Sequence, residues 1–495
     1  MRFDSITIVG GGTAGWMTAS TLIKIFPNKK ITLVESPSIP SIGVGESTTQ
    51  IIRRWLSFLE IEDEEWMSAC DATYKYSVKF TNFNPAISFH YPFGNPENEI
   101  PMHEWFIYRS LVGEKSIKFD HIFWKYMDAI EKCKYLPEDF TKQNSGFHFN
   151  ALKFADWLKN NYAIPKGVNH IIGKVEQVKQ TENGFIKFIK LDTNLIIKSD
   201  LFFDCTGFNS LLLEKTLKVP FENFGDKLLN THAYAVQIPY SNKRKELQPY
   251  TNCTALSSGW VWNVPVWSRI GTGYNYSENF ISHDDALIEF KNHLGDRLPK
   301  DANIKNIKFR TGISEKVWFK NVIAIGLSGG FIEPLESNGL LSVHEWLMQF
   351  VEICQRDVIT TIDIDSFNSK CISFFKYFSD FVALHYALST RDDSLYWNYI
   401  TNEYHFDGDS PLFSTIRSLR TTSDLYNIHW DFHGPNLCIM AGHNYNPVSK
   451  TKINSNFNKQ TLIENVEKIY QNNRQNTKSL LDIYDFYSGG IYAKI

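Results

Sequence analysis

A chain of 495 residues, with 51 Lys plus Arg against 54 Asp plus Glu and a net charge of −3, is long enough for two ordinary domains or one large domain with insertions. No run of like charge marks a nucleic-acid partner, no window reaches the roughly 18 apolar residues of a membrane span, and the opening residues enter a strand without a secretory pattern. Seven scattered cysteines, Cys70, Cys133, Cys205, Cys253, Cys354, Cys371 and Cys438, lack metal-ligand spacing and fit reduced thiols, so a soluble, cytoplasmic protein without a metal site is expected.

In chain order, SITIV at 5–9 predicts a strand, MTASTLIKIF a helix and KITLVES a second strand, which together form a β-α-β opening. Helical periodicity follows at 49–69, a β signal at 73–83, a helix at 150–162, and β signals at 183–205 and 257–277. Helix 283–295, β signals over 305–325, helix 341–356 and helical spacing through much of 364–390 complete the ordered pattern. The tail from about 446 is rich in Asn, Gln and Lys, yet KQTLIENVEKIYQNN predicts an amphipathic surface helix. There is no internal repeat and no low-complexity linker. Strands and helices alternate, so the fold class is α/β, a Rossmann-like nucleotide-binding core with an interleaved, mostly helical substrate part. The expected division puts the core at 1–100 and 145–350 and the helical part at 101–144 and 351–495.

Gly10, Gly12 and Gly15, with Gly11, Thr13 and Ala14 between them, follow a strand and open a helix. Glu35 and Ser36 end the next strand twenty residues on. Small residues admit a pyrophosphate to the backbone, the helix start attracts its charge, and the carboxylate can hold a ribose. DLFFDCTGFNSLL at 200–212 is similar to the strand and glycine turn that flavoproteins place against their cofactor, which favours FAD over NAD. No second glycine loop offers an NAD(P)H site, so reduced flavin must come from a separate protein.

Other patterns have plain readings. Along DATYKYSVKF at 71–80, parity places Thr73, Lys75, Ser77 and Lys79 on one strand face, where a lysine is ordinarily exposed. Glu333 and Glu336 read as surface carboxylates near a helix start. In GWVWNVP, Trp260, Trp262 and Val264 share one strand face as an apolar wall, and Pro265 should end or edge the strand. SIGVGEST at 41–48 reads as a glycine-rich turn.

Taken together, GGGTAGW (10–16), SIGVGEST, GWVWNVP, GLSGGFIEPLESNG (326–339) and HYALSTRDDSLYW (385–397) resemble the FAD-dependent tryptophan halogenases over nearly the whole chain. The resemblance implies a flavoprotein-monooxygenase-type fold. It also implies an enzyme that uses FADH2, O2 and a halide to make hypohalous acid, which travels through an internal tunnel to a lysine beside an electron-rich aromatic substrate. It places the catalytic lysine on Lys75, with Lys79 in reserve, the catalytic carboxylate on Glu336, and a supporting hydroxyl on Ser337. Flavin contacts are implied for Val44, Gly45, Glu46 and Ser47 and for Val175, Leu327 and Leu340, and halide contacts for Asn338 and Gly339, where the family usually has Thr-Gly. Trp260, Trp262 and Pro265 correspond to the wall between flavin and substrate, and Tyr91 and Phe93 to substrate contacts. Tyr91 aligns with a family histidine unless the register slips to His90.

No equivalent of the glutamate that grips free tryptophan stands in 424–442, so a simpler indole, phenol or other aromatic is expected. His385, Arg391, Asp393 and Trp397 read as helix packing and ion pairing. An aromatic hydroxylase would use the same flavin fold, and halide dependence separates the two. A homo-oligomer is the default for an enzyme of this size.

Overall fold

A computed structural model describes residues 3–37, 46–97, 99–356, 358–404, 430–445 and 458–493. The opening β-α-β unit is realised as the strand Ser5–Val9, the helix Thr13–Ile25 and the strand Lys30–Glu35. These strands sit inside a six-stranded sheet ordered Trp318–Phe319, Val322–Ala324, Leu201–Asp204, Ser5–Val9, Lys30–Glu35, Asn169–Ile172. All its pairings are parallel except that of the edge strand Trp318–Phe319. The central strands are buried on both faces, which is why they read as unbroken apolar runs rather than alternating ones.

A second sheet of seven strands runs Lys305–Lys308, His232–Ile238, Arg269–Tyr276, Gly259–Val266, Tyr250–Ala255, Ser77–Thr81, Ser88–Pro92. It is antiparallel except where Tyr250–Ala255 meets Ser77–Thr81. One face joins the main core through Trp260, Trp262 and Val264, while Val261 and Tyr274 pack with the helix His283–Leu294 on the other. The alternation expected for GWVWNVP therefore holds. Of the two readings for Pro265, the end of the strand is not realised, since the strand continues to Val266 with Pro265 paired to Ile270, but the edge position is. Proline is tolerated there because Tyr250–Ala255 pairs only as far as Asn263, so no ladder bond is missed on that side.

A short sheet of Glu46–Ser47, Gly146–Phe149 and Thr73–Lys75 is one of three three-stranded sheets among the described residues. The chain passes from it into the seven-stranded sheet at Tyr76, whose N–H donates to Pro249 O at 2.7 Å and whose carbonyl accepts from Phe93 N at 2.8 Å.

The periodic stretch 49–69 is two helices, Ile52–Leu59 and Asp63–Trp66, broken at Glu60 with φ of 59°. Residues 101–144 carry four short helices. The tail helix Lys459–Gln475 buries Leu462, Val466 and Ile469 against three of them. Among the described residues, no helix is long and apolar enough to cross a membrane, and all seven cysteines are free thiols.

Candidate active site

Gly10 adopts φ of +118°, and a Cβ there would fall 2.2 Å from Cys205 O, at the end of the neighbouring strand. A Cβ on Gly15 would fall 1.9 Å from Gly10 O, so the helix packs directly on the turn that precedes it. That helix starts at Gly12 with no side-chain cap and no acidic residue in its first turn. Its leading N–H groups are left for an anion. Thr13 Oγ1 donates to Ala151 O at 3.3 Å, and Ala14 faces the turn at Gly326. Glu35 Oε2 accepts from His170 Nε2 at 2.8 Å, with Lys159 Nζ at 3.5 Å, so the carboxylate is held in place beside the loop. This donor set fits a dinucleotide pyrophosphate and ribose. Ser36 follows Glu35, Leu327 lies in the Gly326–Ser328 turn, and Leu340 caps the helix Leu341–Ile353. Val175 opens the strand Val175–Gln180 and packs on the apolar cluster around Val9 and Val34. Val44 and Gly45 lie outside the described residues.

Lys75 is completely buried. The parity argument for exposure fails because it treats 73–80 as one strand, whereas Lys75 ends the short sheet, opposite Gly146, and the chain then changes sheets. Its Nζ donates to Ser337 Oγ and lies 4.9 Å from the Phe93 ring centroid. Ser337 Oγ also accepts from Ser47 Oγ at 3.0 Å, and Ser47 is linked in turn to Thr251 Oγ1 (2.7 Å) and on to His148 Nε2 (2.9 Å). Ser337 holds a left-handed φ of 60°, uncommon for a non-glycine residue, which turns its hydroxyl toward the lysine. Burial lowers the Lys75 pKa from the ordinary 10.5 to about 7, with Glu336 and Cys253 pulling the other way. Lys79 is half-buried on the sheet face that carries His90, opposite that residue in the register.

Neither glutamate is a surface group: Glu333 is 0% and Glu336 1% exposed. Glu333 Oε2 accepts from Trp260 Nε1 (2.9 Å), Asn230 Nδ2 (2.7 Å) and the Tyr386 hydroxyl (2.9 Å). Burial nevertheless raises its pKa, the three donors only partly offsetting that cost. Trp260 is thereby pinned, with Trp262 at 6.0 Å between ring centroids. His385, read from the sequence as packing alone, brings Nε2 to 2.9 Å from Glu336 Oε1. Arg391 does pair with Asp393, through two 2.8 Å bonds, and lies over the Trp397 ring.

Tyr91 stands opposite Val78 and Thr251, on the face of Trp262, whereas His90 points to the other face and meets Ser77 Oγ at 2.9 Å. Asn338 and Gly339 follow Ser337, and Asn338 Nδ2 donates to Ile332 O at 3.1 Å. A Cβ on Gly339 would lie 3.2 Å from Glu46 Oε2. Burial raises the pKa of Glu46 to about 7. Away from this site His232, Glu278 and His283 bring ligand-type atoms within 4.8 Å of one another, but Lys308 Nζ already lies 3.5 Å from Glu278 and Tyr276 holds His283 Nδ1 at 2.7 Å.

Residues 5–456 match the family model described as tryptophan halogenase. The tryptophan 7-halogenase RebH of Lentzea aerocolonigenes is 35% identical, over 80% of this chain and 78% of its own. The tryptophan 6-halogenase SttH of Streptomyces toxytricini is 35% identical, over 80% of each. Among solved structures, apo VirX1 matches with a TM-score of 0.91 at 36% identity, over 99% of this chain and 100% of that one. BrvH, a flavin-dependent halogenase from Brevundimonas sp. BAL3, matches with 0.87 at 29% identity over 99% of each. With a dinucleotide loop, a buried lysine and paired indoles found in one fold with these relatives, the chain belongs to the tryptophan halogenase family, flavin enzymes that use FADH2, O2 and halide to halogenate aromatic rings.

Proposed function

We propose that Lys75 and Glu336 form the catalytic pair that delivers an electrophilic halogen to an indole, phenol or similar electron-rich ring. The observation that carries this reading is a fully buried lysine, bonded to Ser337 and under the field of a buried Glu336. Bound FADH2, with O2 and halide, supplies the two-electron oxidation that yields hypohalous acid. The loop Gly10–Gly15 and the helix start would hold the pyrophosphate, Glu35 the ribose, and the Asn338 and Gly339 backbone the halide. Trp260 and Trp262 would wall the organic substrate off from the flavin chamber, so that only the small oxidised halogen species passes.

A lysine with a pKa near 7 is present in both forms at neutral pH. As ammonium it donates a hydrogen bond to the hypohalous oxygen and polarises the O–X bond. As amine it displaces hydroxide from the halogen, giving a haloamine and, with the released proton, water. Attack by the ring then forms the C–X bond as the O–X or N–X bond breaks: hydroxide leaves as water with the ammonium proton, or the pair returns to the lysine nitrogen, which takes up a proton to regenerate the amine. The ring C–H proton passes to the Glu336 carboxylate as its bonding pair restores aromaticity. Phe93 and Tyr91 line the substrate side. In this reading 1–100 and 145–350 serve the cofactor and 101–144 and 351–495 the substrate, while a separate reductase supplies the flavin.

The test is reconstitution with FAD, a flavin reductase, NADH and each halide over an aromatic panel, read by mass spectrometry. A product heavier by one halogen in place of hydrogen is expected, and a halide-independent gain of one oxygen would replace this reading with a hydroxylase. Lys75→Ala and Glu336→Gln should each abolish halogenation while flavin still binds and oxidises. Retained halogenation in either removes that residue from the mechanism.

A further inference from the structure

Glu336 has a buried partner to which the chemistry above gives no task. The long helix Thr361–Ala387 carries His385 in its last turn, with Nε2 2.9 Å from Glu336 Oε1 and both side chains sealed from solvent. The tautomer follows from the other nitrogen: Nδ1 lies 3.0 Å from Phe381 O, which only accepts, so Nδ1 carries a proton. Nε2 then faces a carboxyl oxygen, and two bare acceptors at this distance in a dry interior repel, so one member of the pair carries a proton. The approach lies off the axis of a well-aligned hydrogen bond. The imidazole is confined by Phe80 at 4.6 Å and Phe381 at 5.5 Å between ring centroids. Oε1 faces His385 at ion-pair distance without a hydrogen bond, and among the described residues no hydrogen bond reaches Oε2, which leaves that oxygen open to a guest. The ionisable groups around the pair are Lys75, Tyr91, Cys253 and Cys438 on the Glu336 side and Glu333 and His443 on the His385 side.

We propose that His385 is the positioning residue of Glu336: by its close contact with Oε1 it aims Oε2 at the substrate ring and fixes which oxygen receives the ring proton. The inference rests on the reading of Glu336 as the base. When the ring C–H bond breaks, its proton goes to Oε2 and returns to water as product leaves.

The test uses the full-length enzyme with FAD, reductase, NADH, bromide and the panel ring that gives most product. His385→Phe keeps a ring and removes the proton, and His385→Gln keeps an N–H that reaches the same oxygen. For His385→Phe, kcat should fall about 30-fold with KM within about 3-fold, while FADH2 oxidation and hypobromous acid captured by a diketone trap stay within about 2-fold. His385→Gln should recover to within about 5-fold of wild type, and it decides the matter if the Phe variant does not fold. Undiminished kcat in His385→Phe beside an inactive Glu336→Gln overturns the proposal, as does loss of hypobromous acid formation in either His385 variant. An active Glu336→Gln overturns the underlying assignment of the base instead.

Discussion

Lys75→Met should abolish halogenation and yet raise the melting temperature. The lysine is completely buried, and its pKa of about 7 sits well below the 10.5 it regains when the chain unfolds. Each unit of that difference is about 1.4 kcal/mol, so below pH 7 the folded state carries a penalty of about 5 kcal/mol for this charge. Between about 7 and 10.5 the unfolded chain binds the extra proton, so wild-type stability rises with pH across that window. The penalty is complete below about 7, has shrunk to about 2 kcal/mol at pH 9, and is gone above 10.5. Methionine removes it at similar volume but loses the hydrogen bond to Ser337, a cost of about 1 kcal/mol. For a chain of 495 residues, an unfolding entropy of about 2.1 cal/mol/K per residue converts 1 kcal/mol into roughly 1 °C. The variant should therefore melt about 3 to 4 °C higher at pH 6.5 and only about 1 °C higher at pH 9 by scanning calorimetry. A variant that melts at or below wild type at pH 6.5, or a gap that ignores pH, would refute the buried-charge argument.

Two further outcomes follow from carboxylates whose pKa burial raises. Trp260→Phe deletes one of three donors to Glu333 Oε2 in a site where burial already opposes ionisation, and should cost about 1 to 2 kcal/mol, seen as a melting temperature roughly 1 to 2 °C lower. An unchanged melting temperature would show that Asn230 and Tyr386 alone satisfy the carboxylate. Glu46, raised to about 7 by burial and close to Gly339, becomes a carboxylate beside the proposed halide amides as pH rises through that value. The halide KM should accordingly climb roughly tenfold between pH 6 and 8, an effect of about 1.4 kcal/mol, and Glu46→Gln should flatten the climb in steady-state assays. A slope that persists in the variant would place the titrating group elsewhere.

What the sequence made legible was local. The β-α-β opening could be read because the strand period, the glycine spacing and Glu35 all lie within 35 residues and answer to one turn geometry. The faces of GWVWNVP followed from parity within a single strand. Parity failed at Lys75 because the bonds that break the strand come from Pro249 and Phe93, and no pattern over 73–80 contains them. Glu333 looked like a helix-start acid because its partners Asn230, Trp260 and Tyr386 are far away along the chain. His385 carried no sign of its role, which exists only through the distance to Glu336.

The failures share a physical cause. Burying one ionisable side chain alone is prohibitive, so local reasoning sends each to the surface. Lys75, Glu336, His385 and Glu333 are inside because they are buried together: Glu336 raises the Lys75 pKa that burial lowers, His385 stands 2.9 Å from Glu336, and Glu333 is held by three donors. The residue that makes each burial tolerable is therefore also the residue that sets its chemistry. On this argument a variant that neutralises Glu336 should shift the pH dependence of Lys75 downward as well as remove a base, because the field that keeps the lysine as high as 7 is the one that would be lost.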